Sequence, residues 1–463
     1  MTLENKKERP RAVLVGVQLA GVDEQEHMAS LAELERLCQT LGFDVVAKVS
    51  QSRKALAAGT VVGEGKLKEI ARMTGGKGIV ESGVSRKVSK AKAKQLEQET
   101  DEDLDFQDDD EQYDENTADV QATVVVFDNE LTPTQLRNLE NATGAEVLDR
   151  VGVIVEIFSR HAQTREAKLQ VEIAKLNYLA PRLRLSNVGA DRQGGGIGAK
   201  GAGETAHELD KRRIRDRIAE LRRQLEIIGQ DQANRRARRQ ESLRVALVGY
   251  TNAGKSSLMR ALTGSEVLVA NKLFATLDTT VRVMLPESTP KILISDTVGF
   301  IKKLPHDLVA SFRSTLDEAH SASLLLYVVD SSDPTFRSQL EVTQTVLSEI
   351  GAEEIPSKLV LNKVDQLSKE QKALLQKEFP DAIFISTLAK TDVNRMREEI
   401  LKFFEAGMEE YTIDLPYTKA GLVADIRSRV RIVGEDYTDT GTTFRVRAHE
   451  DTYTFIKELI RGK

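Results

Sequence analysis

The chain has 463 residues, 40% hydrophobic and 30% charged, the composition of a globular protein too long for one core. Its 66 basic and 72 acidic side chains leave a net charge of −6, which excludes a polycation that coats nucleic acid along its whole length but leaves room for a local basic face. One cysteine, Cys38, excludes an internal disulfide and a cysteine zinc site and fits a reducing cytosol. The lack of tryptophan and 5% aromatic content exclude ring stacking as the main grip on RNA.

Residues 12–17 and 44–49 are strand-like, with an amphipathic stretch at 31–41 between them. Residues 66–73 follow as a short helix, 122–127 as a fully apolar strand, 133–143 as a helix and 146–148 as a strand. That alternation predicts a small α/β domain with a parallel sheet over residues 1–150. Residues 75–116 interrupt it, first basic (Arg86, Lys87, Lys90, Lys92, Lys94), then acidic from Asp101 to Glu115. Such like-charge blocks read as a solvated, disordered insertion, with a partner-binding tail as the other reading. Gly63-Glu64-Gly65-Lys66 resembles part of a phosphate cradle, but a tight turn before a helix explains it as well. No apolar run reaches the ~18–20 residues of a membrane span, and the run at 12–17 is a first strand rather than a secretory signal, so a soluble, cytoplasmic protein is expected.

Residues 151–242 read as helical. Leu169, Ile173, Leu176, Ala180 and Leu183 form one stripe, and Ile214, Ile218, Leu221, Leu225 and Ile228 a second. Pro181 is expected to end or kink the first helix. Between the two lies a glycine-rich loop, residues 193–204, so the helices are expected to form a long antiparallel hairpin. The outer face of the second is densely basic: Lys211, Arg212, Arg213, Arg215, Arg217, Arg222, Arg223, then Arg235, Arg236, Arg238 and Arg239. A solvated face and an RNA-phosphate face both fit that pattern.

At residue 244 the pattern becomes strand, glycine loop, helix. Gly249, Tyr250, Thr251, Asn252, Ala253, Gly254, Lys255 and Ser256 spell G-x4-G-K-S, and Ser257 continues into a helix. In that context the glycines let backbone amides converge on phosphate oxygens, Lys255 reaches the terminal phosphates, and the Ser256 hydroxyl ligates Mg²⁺. A second strand ends in Asp296, Thr297, Val298 and Gly299, where the carboxylate holds Mg²⁺ through water and the glycine amide meets the γ-phosphate. A third leads into Asn362, Lys363, Val364 and Asp365. A carboxylate there accepts from guanine N1–H and the 2-amino group, and adenine offers neither donor. The strand at 383–385 ends in Ser386, Thr387 and Leu388, whose amides are placed for the guanine oxygen. Phe274, Ala275, Thr276, Leu277, Asp278, Thr279 and Thr280 form the expected first switch, in which the spacing does not single out one threonine. A GTPase domain over 243–408 and a small C-terminal domain over 411–463, with strands at 430–433 and 444–446 and a helical end, complete the division.

These residues together resemble the HflX-type GTPases of the Obg–HflX group of translational GTPases. The marks are FATLD at 274–278, DTVGFI at 296–301, LPHDLVASFRSTL at 304–316, GGIGAKGAGET at 195–205, LTPTQLRNLE at 131–140 and EAKLQVEIAKL at 166–176. The resemblance implies an α/β fold: a P-loop GTPase domain preceded by a small α/β domain and a helical hairpin, and followed by a small α+β domain. It assigns Thr276 to Mg²⁺ and the γ-phosphate, and the glycine-rich loop to ribosome contact. It implies a GTP-hydrolysing switch that binds the large (50S) ribosomal subunit and its rRNA, in a family of which some members split or recycle stalled or idle ribosomes; a monomer is expected. The insertion at 75–116 falls where the family has a short connection, and Ser386-Thr387-Leu388 departs from the Ser-Ala-Lys of small GTPases.

Where Ras-like enzymes place a water-orienting glutamine after the glycine of this turn, this chain has Phe300, so slow intrinsic hydrolysis with outside help is expected. His306 and Arg313 lie nearby in sequence, as a capping histidine and a helix-surface arginine. Two rival readings remain: a GTPase that drives tRNA modification or RNA remodelling, disfavoured because Cys38 lies far from any C-terminal catalytic position, and a scaffold that captures a partner through 75–116.

Overall fold

The computed structural model describes residues 9–57, 59–80, 121–186, 206–237, 243–264, 273–274, 279–303 and 318–461. Contacts divide the chain into two units, Met1–Ile154 with Pro181–Ala199, and Val155–Ala180 with Lys200–Lys463.

The first unit is built on a parallel sheet in the order β2-β1-β3-β4: Asp44–Arg53, Arg11–Leu19, Val124–Phe127 and Glu146–Asp149. All four residues of β3 are buried, as both faces of a central parallel strand require. Helix α1, Glu24–Leu41, turns Leu31, Leu34, Leu37 and Cys38 inward. Helix α2 is Glu64–Thr74. Its N-cap is Gly63, so the Gly-Glu-Gly-Lys stretch opens a helix in a turn, its local reading. Helix α3, Pro133–Thr143, starts with a capping box between Thr132 and Gln135 and has proline in its first turn, where the missing N–H costs nothing. Residues 81–116 of the charged insertion lie outside the described residues.

One feature of this unit escapes sequence reading. Arg150, 1% exposed, opens helix α4 (Arg150–His161). Its guanidinium pairs with Glu33 and, at 2.5 Å, with Asp128, whose other oxygen accepts from Ser30 Oγ at 2.8 Å. Asp149 beside it accepts from the amides of Leu131 (3.2 Å) and Gly152 (2.8 Å) and pairs with Arg182 at 2.9 Å.

Helix α5, Arg165–Ser186, does not end at Pro181 but runs five residues past it. A proline removes one backbone donor from the ladder, and the Arg182–Asp149 pair lies one residue further on. One of the boundaries between the two units falls at this proline. In the second unit, Leu169, Ile173 and Leu176 of α5 pack on Ile218, Leu221, Leu225 and Ile228 of α6, Ala206–Ala237, as the two stripes predict. Glu172 and Arg217 join across them at 2.7 Å. The glycine-rich loop 193–204 lies outside the described residues.

A six-stranded sheet follows in the order β10-β9-β8-β5-β7-β6. Its strands are Ile383–Phe384, Ser357–Asn362, Leu324–Asp330, Leu243–Val248, Ile292–Asp296 and Thr280–Val283, and only β6 runs antiparallel. Helices α7 (Lys255–Thr263), α8 (Phe336–Glu349), α9 (Lys369–Glu378) and α10 (Lys390–Glu405) belong to this domain. The C-terminal part is an antiparallel sheet, β11-β13-β12 (Glu409–Pro416, Gly441–Ala448, Arg431–Tyr437), with α11 (Val423–Arg429) and α12 (Glu450–Arg461). It has its own core of Ile413, Leu415, Ile426, Phe444, Val446 and Ile456. Both strands expected there are present and longer, and β11 joins them. No helix among the described residues is long and apolar enough to cross a membrane.

Candidate nucleotide site

Strand β5 ends just before Gly249 and α7 begins at Lys255, so the loop between them turns within a few residues. Glycine is required at both ends. A Cβ on Gly249 would stand 2.2 Å from the Val328 carbonyl oxygen on β8, and Gly254, at φ +95°, would drive one to 2.2 Å from Asn362 Nδ2. Asn252 also adopts a left-handed conformation, at φ +62°.

Lys255 is buried, and its Nζ donates to the carbonyls of Gly249 (2.9 Å) and Tyr250 (2.8 Å), within its own loop. Burial pulls this lysine down to about 8, with the Asp296 carboxylate working in the other direction. Ser256 Oγ donates to Asp296 Oδ2 at 2.6 Å, and Asp296 is wholly buried at the end of β7. A hydroxyl and a carboxylate this close form a hard-oxygen pair that fits Mg²⁺, which takes few protein ligands and completes its shell with water and phosphate. The chemistry such an ion supplies is neutralisation of phosphate charge.

The Asp-Thr-Val-Gly turn is fastened to this loop. Thr297 Oγ1 donates to the Leu247 carbonyl at 2.8 Å. A Cβ on Gly299 would meet Thr251 Cα at 2.9 Å and Lys255 Nζ at 3.1 Å, so only glycine approaches here. Phe300 donates its N–H to the Gly249 carbonyl (3.2 Å) and accepts from the Thr251 amide (2.8 Å), while its ring is 4% exposed. The Tyr250 hydroxyl accepts from the Lys302 amide at 2.6 Å, a second tie that the motif does not announce.

On the other side, Asn362 is fully buried at the end of β9. Its Nδ2 donates to the Ala253 carbonyl at 2.9 Å, and its Oδ1 accepts from the Thr387 amide at 3.3 Å. One side chain therefore joins the phosphate loop to Ser386, Thr387 and Leu388. Asp365 stands exposed in the short turn Val364–Gln366, and the Val364 amide donates to the Ile385 carbonyl at 3.3 Å. The Ser386 amide donates to Asp392 at 2.9 Å, its hydroxyl accepts from the Leu388 amide at 3.3 Å, and the Leu388 side chain is 85% exposed.

The Phe274 side chain, read in the first switch, is buried: its ring meets Phe158 of α4 edge-on at 4.6 Å and 82°. What it can offer a nucleotide is backbone rather than ring. Ala275, Thr276, Leu277 and Asp278, with His306 and Arg313, lie outside the described residues.

The lysine makes the site sensitive to pH. Phosphates favour its charged form, so binding takes up a proton once the ligand-free lysine has lost its own, above about 8. GDP affinity is expected to be flat from about pH 7, where the terminal phosphate is already fully charged, to about 8, and to fall above it by up to about tenfold per unit. Titrations in Lys255→Ala should lack that slope; the same slope in both would assign it to the base. Ligand-free stability runs the other way. Between about 8 and 10.5 the unfolded chain holds a proton that the folded chain has released, so the contribution of Lys255 to stability rises with pH across that window.

A glycine loop between strand and helix, a buried aspartate on the neighbouring strand and an Asn-Lys-Val-Asp turn two strands away define the P-loop GTPase class of nucleotide-binding domains. A family model described as 50S ribosome-binding GTPase matches residues 244–363. Those described as GTP-binding GTPase N-terminal and GTP-binding GTPase Middle Region match 28–104 with 110–159, and 161–239. The GTPase HflX of Gluconacetobacter diazotrophicus is 54% identical over 465 residues, covering 100% of both chains. That of Caldanaerobacter subterraneus subsp. tengcongensis is 35% identical over 99% of this chain and 95% of its own, and that of Escherichia coli 36% over 88% and 85%. The chain belongs to the HflX family of GTPases.

Proposed function

We propose that this chain is a GTP-driven switch on the large ribosomal subunit. GTP with Mg²⁺ orders residues 274–280 and 296–303, that form engages the subunit and its rRNA and helps to split or recycle stalled or idle ribosomes, and hydrolysis releases it. Gly249 to Ser257, Phe274 to Asp278, Asp296 to Gly299, Asn362 to Asp365 and Ser386 to Leu388 are the nucleotide contacts in this reading, and Ser256 and Thr276 are the Mg²⁺ ligands.

Phe300 carries the proposal. Its ring is buried and its backbone is bonded on both sides to the phosphate loop. The position that orients water in Ras-like enzymes therefore has no side-chain hydrogen-bonding group, and fast turnover needs one from elsewhere. The family model's description supports the large subunit as its source. The exposed arginines of α6 (Arg212, Arg213, Arg215, Arg217, Arg222 and Arg223) support contact with rRNA phosphates. Several are paired, as Arg213 is with Asp210 at 3.4 Å, but exposed pairs are weak and yield to a polyanion.

GTP turnover with and without purified large subunits tests this reading. Stimulation of about 10³- to 10⁵-fold, lost in Lys255→Ala, is expected. Turnover indifferent to subunits, or equal binding of the GTP-analogue and GDP forms to them, would sink it. The tRNA-modification reading gains nothing at Cys38. That thiol is fully buried in α1, burial pushes it up to about 12, and it stays protonated.

A further inference from the structure

We infer that Asp330, outside every nucleotide motif, is a positioning residue of the guanine loop and acts through Lys363. The inference rests on the guanine reading of Asn362 to Asp365. Asp330 is the last residue of β8 and lies opposite Asn362 in the parallel register of β8 and β9. Its Oδ2 meets Lys363 Nζ at 2.6 Å. Its Oδ1 accepts from the Ser332 amide at 3.0 Å and the Ser332 hydroxyl at 2.5 Å. With both oxygens engaged, the carboxylate is held against rotation about its last bond.

The same turn grips the loop at a second point. Ser331 donates both its amide (3.0 Å) and its hydroxyl (2.6 Å) to the Asn362 carbonyl. The next residue, Lys363, takes φ +59°, a left-handed conformation that a lysine rarely adopts. The pair is sheltered, with side-chain exposures of 22% for Lys363 and 16% for Asp330, so water competes weakly for it. Four flexible methylenes and a backbone in an uncommon conformation are thus held before any base arrives, and ordering that binding would otherwise supply is already in place. Asp365 follows two residues on, so the course set for Lys363 also fixes where the base-reading carboxylate begins. Asp330 touches no base in this arrangement; its effect passes through the lysine.

Release of a fluorescent GDP from the full-length chain tests this. Asp330→Asn keeps the shape and an acceptor for Ser332 but loses the charge facing Lys363, and it is expected to speed release by about tenfold. Lys363→Met is expected to do at least as much. The double variant should release GDP no faster than Lys363→Met alone, because the aspartate then has nothing to act through. Losses that add in the double variant would make Asp330 merely structural and overturn the assignment, as would wild-type release in Asp330→Asn or in Lys363→Met. Thermal unfolding of the ligand-free chains is expected to change little, since the pair lies at the C-terminal ends of the strands, outside the apolar core. Competition by ADP keeps the two readings apart. If ADP displaces the probe as well as GDP does, the guanine reading falls and this inference falls with it. If GDP is preferred and only the Asp330 result fails, the guanine reading stands.

Discussion

Asp365→Asn is expected to lower GDP affinity by about 10²- to 10⁴-fold and to create affinity for xanthosine diphosphate. In the proposed reading the carboxylate accepts two hydrogen bonds from guanine, one from N1–H and one from the 2-amino group. An asparagine presents one acceptor and one donor in the same place, so its amide hydrogens face the guanine amino group. Xanthine carries a carbonyl where guanine carries that amine, and the new amide can donate to it. The substitution falls on an exposed residue of the short turn Val364–Gln366, so folding is little affected and the change reads out in base choice. Displacement titrations with GDP, ADP and xanthosine diphosphate check this. A variant that loses GDP without gaining xanthosine diphosphate would show that Asp365 holds the loop rather than reads the base.

The nucleotide motifs were legible because chemistry constrains them at short range. A phosphate loop needs glycine where a Cβ would strike a backbone oxygen or Asn362, and Gly249 and Gly254 are those two positions. A base-reading loop needs an asparagine that can reach the phosphate loop, and Asn362 does so at 2.9 Å. Contacts made through sheet order were not legible. Asp330 meets Lys363 because β8 lies between β5 and β9, and nothing in the letters of β8, an ordinary apolar strand, announces that neighbour. The packing role of the Phe274 ring was not legible either. Its motif marks the switch, but its ring serves packing against Phe158, a partner more than a hundred residues earlier in the chain. The alternating Ile413 and Leu415 of β11 carried a strand signal diluted by the glutamates and aspartate around them.

Arg150→Met should reveal what holds the first unit together, at a cost of about 3–5 kcal/mol to its stability. The guanidinium is 1% exposed and faces two carboxylates, Glu33 at 8% and Asp128 at 3%. Bringing three charged groups out of water is costly, and the arrangement persists because each partner offsets another's desolvation. Methionine fills much of the volume but leaves two carboxylates buried against each other with no cation between them, which is worse than removing the whole cluster. The cost therefore belongs to the stranded acids rather than to the lost packing. Adding Glu33→Gln and Asp128→Asn to Arg150→Met should restore a large part of the loss, since neither amide carries a charge. Urea unfolding of the full-length chain, followed by hydrogen exchange in β1, β3 and α1, reads the first unit by itself. GDP binding reports on the second, and it is expected to stay unchanged in Arg150→Met. Exchange in β1 and β3 as slow in Arg150→Met as in the parent chain would mean that the ionic cluster is a passenger in a core that the apolar sheet already secures.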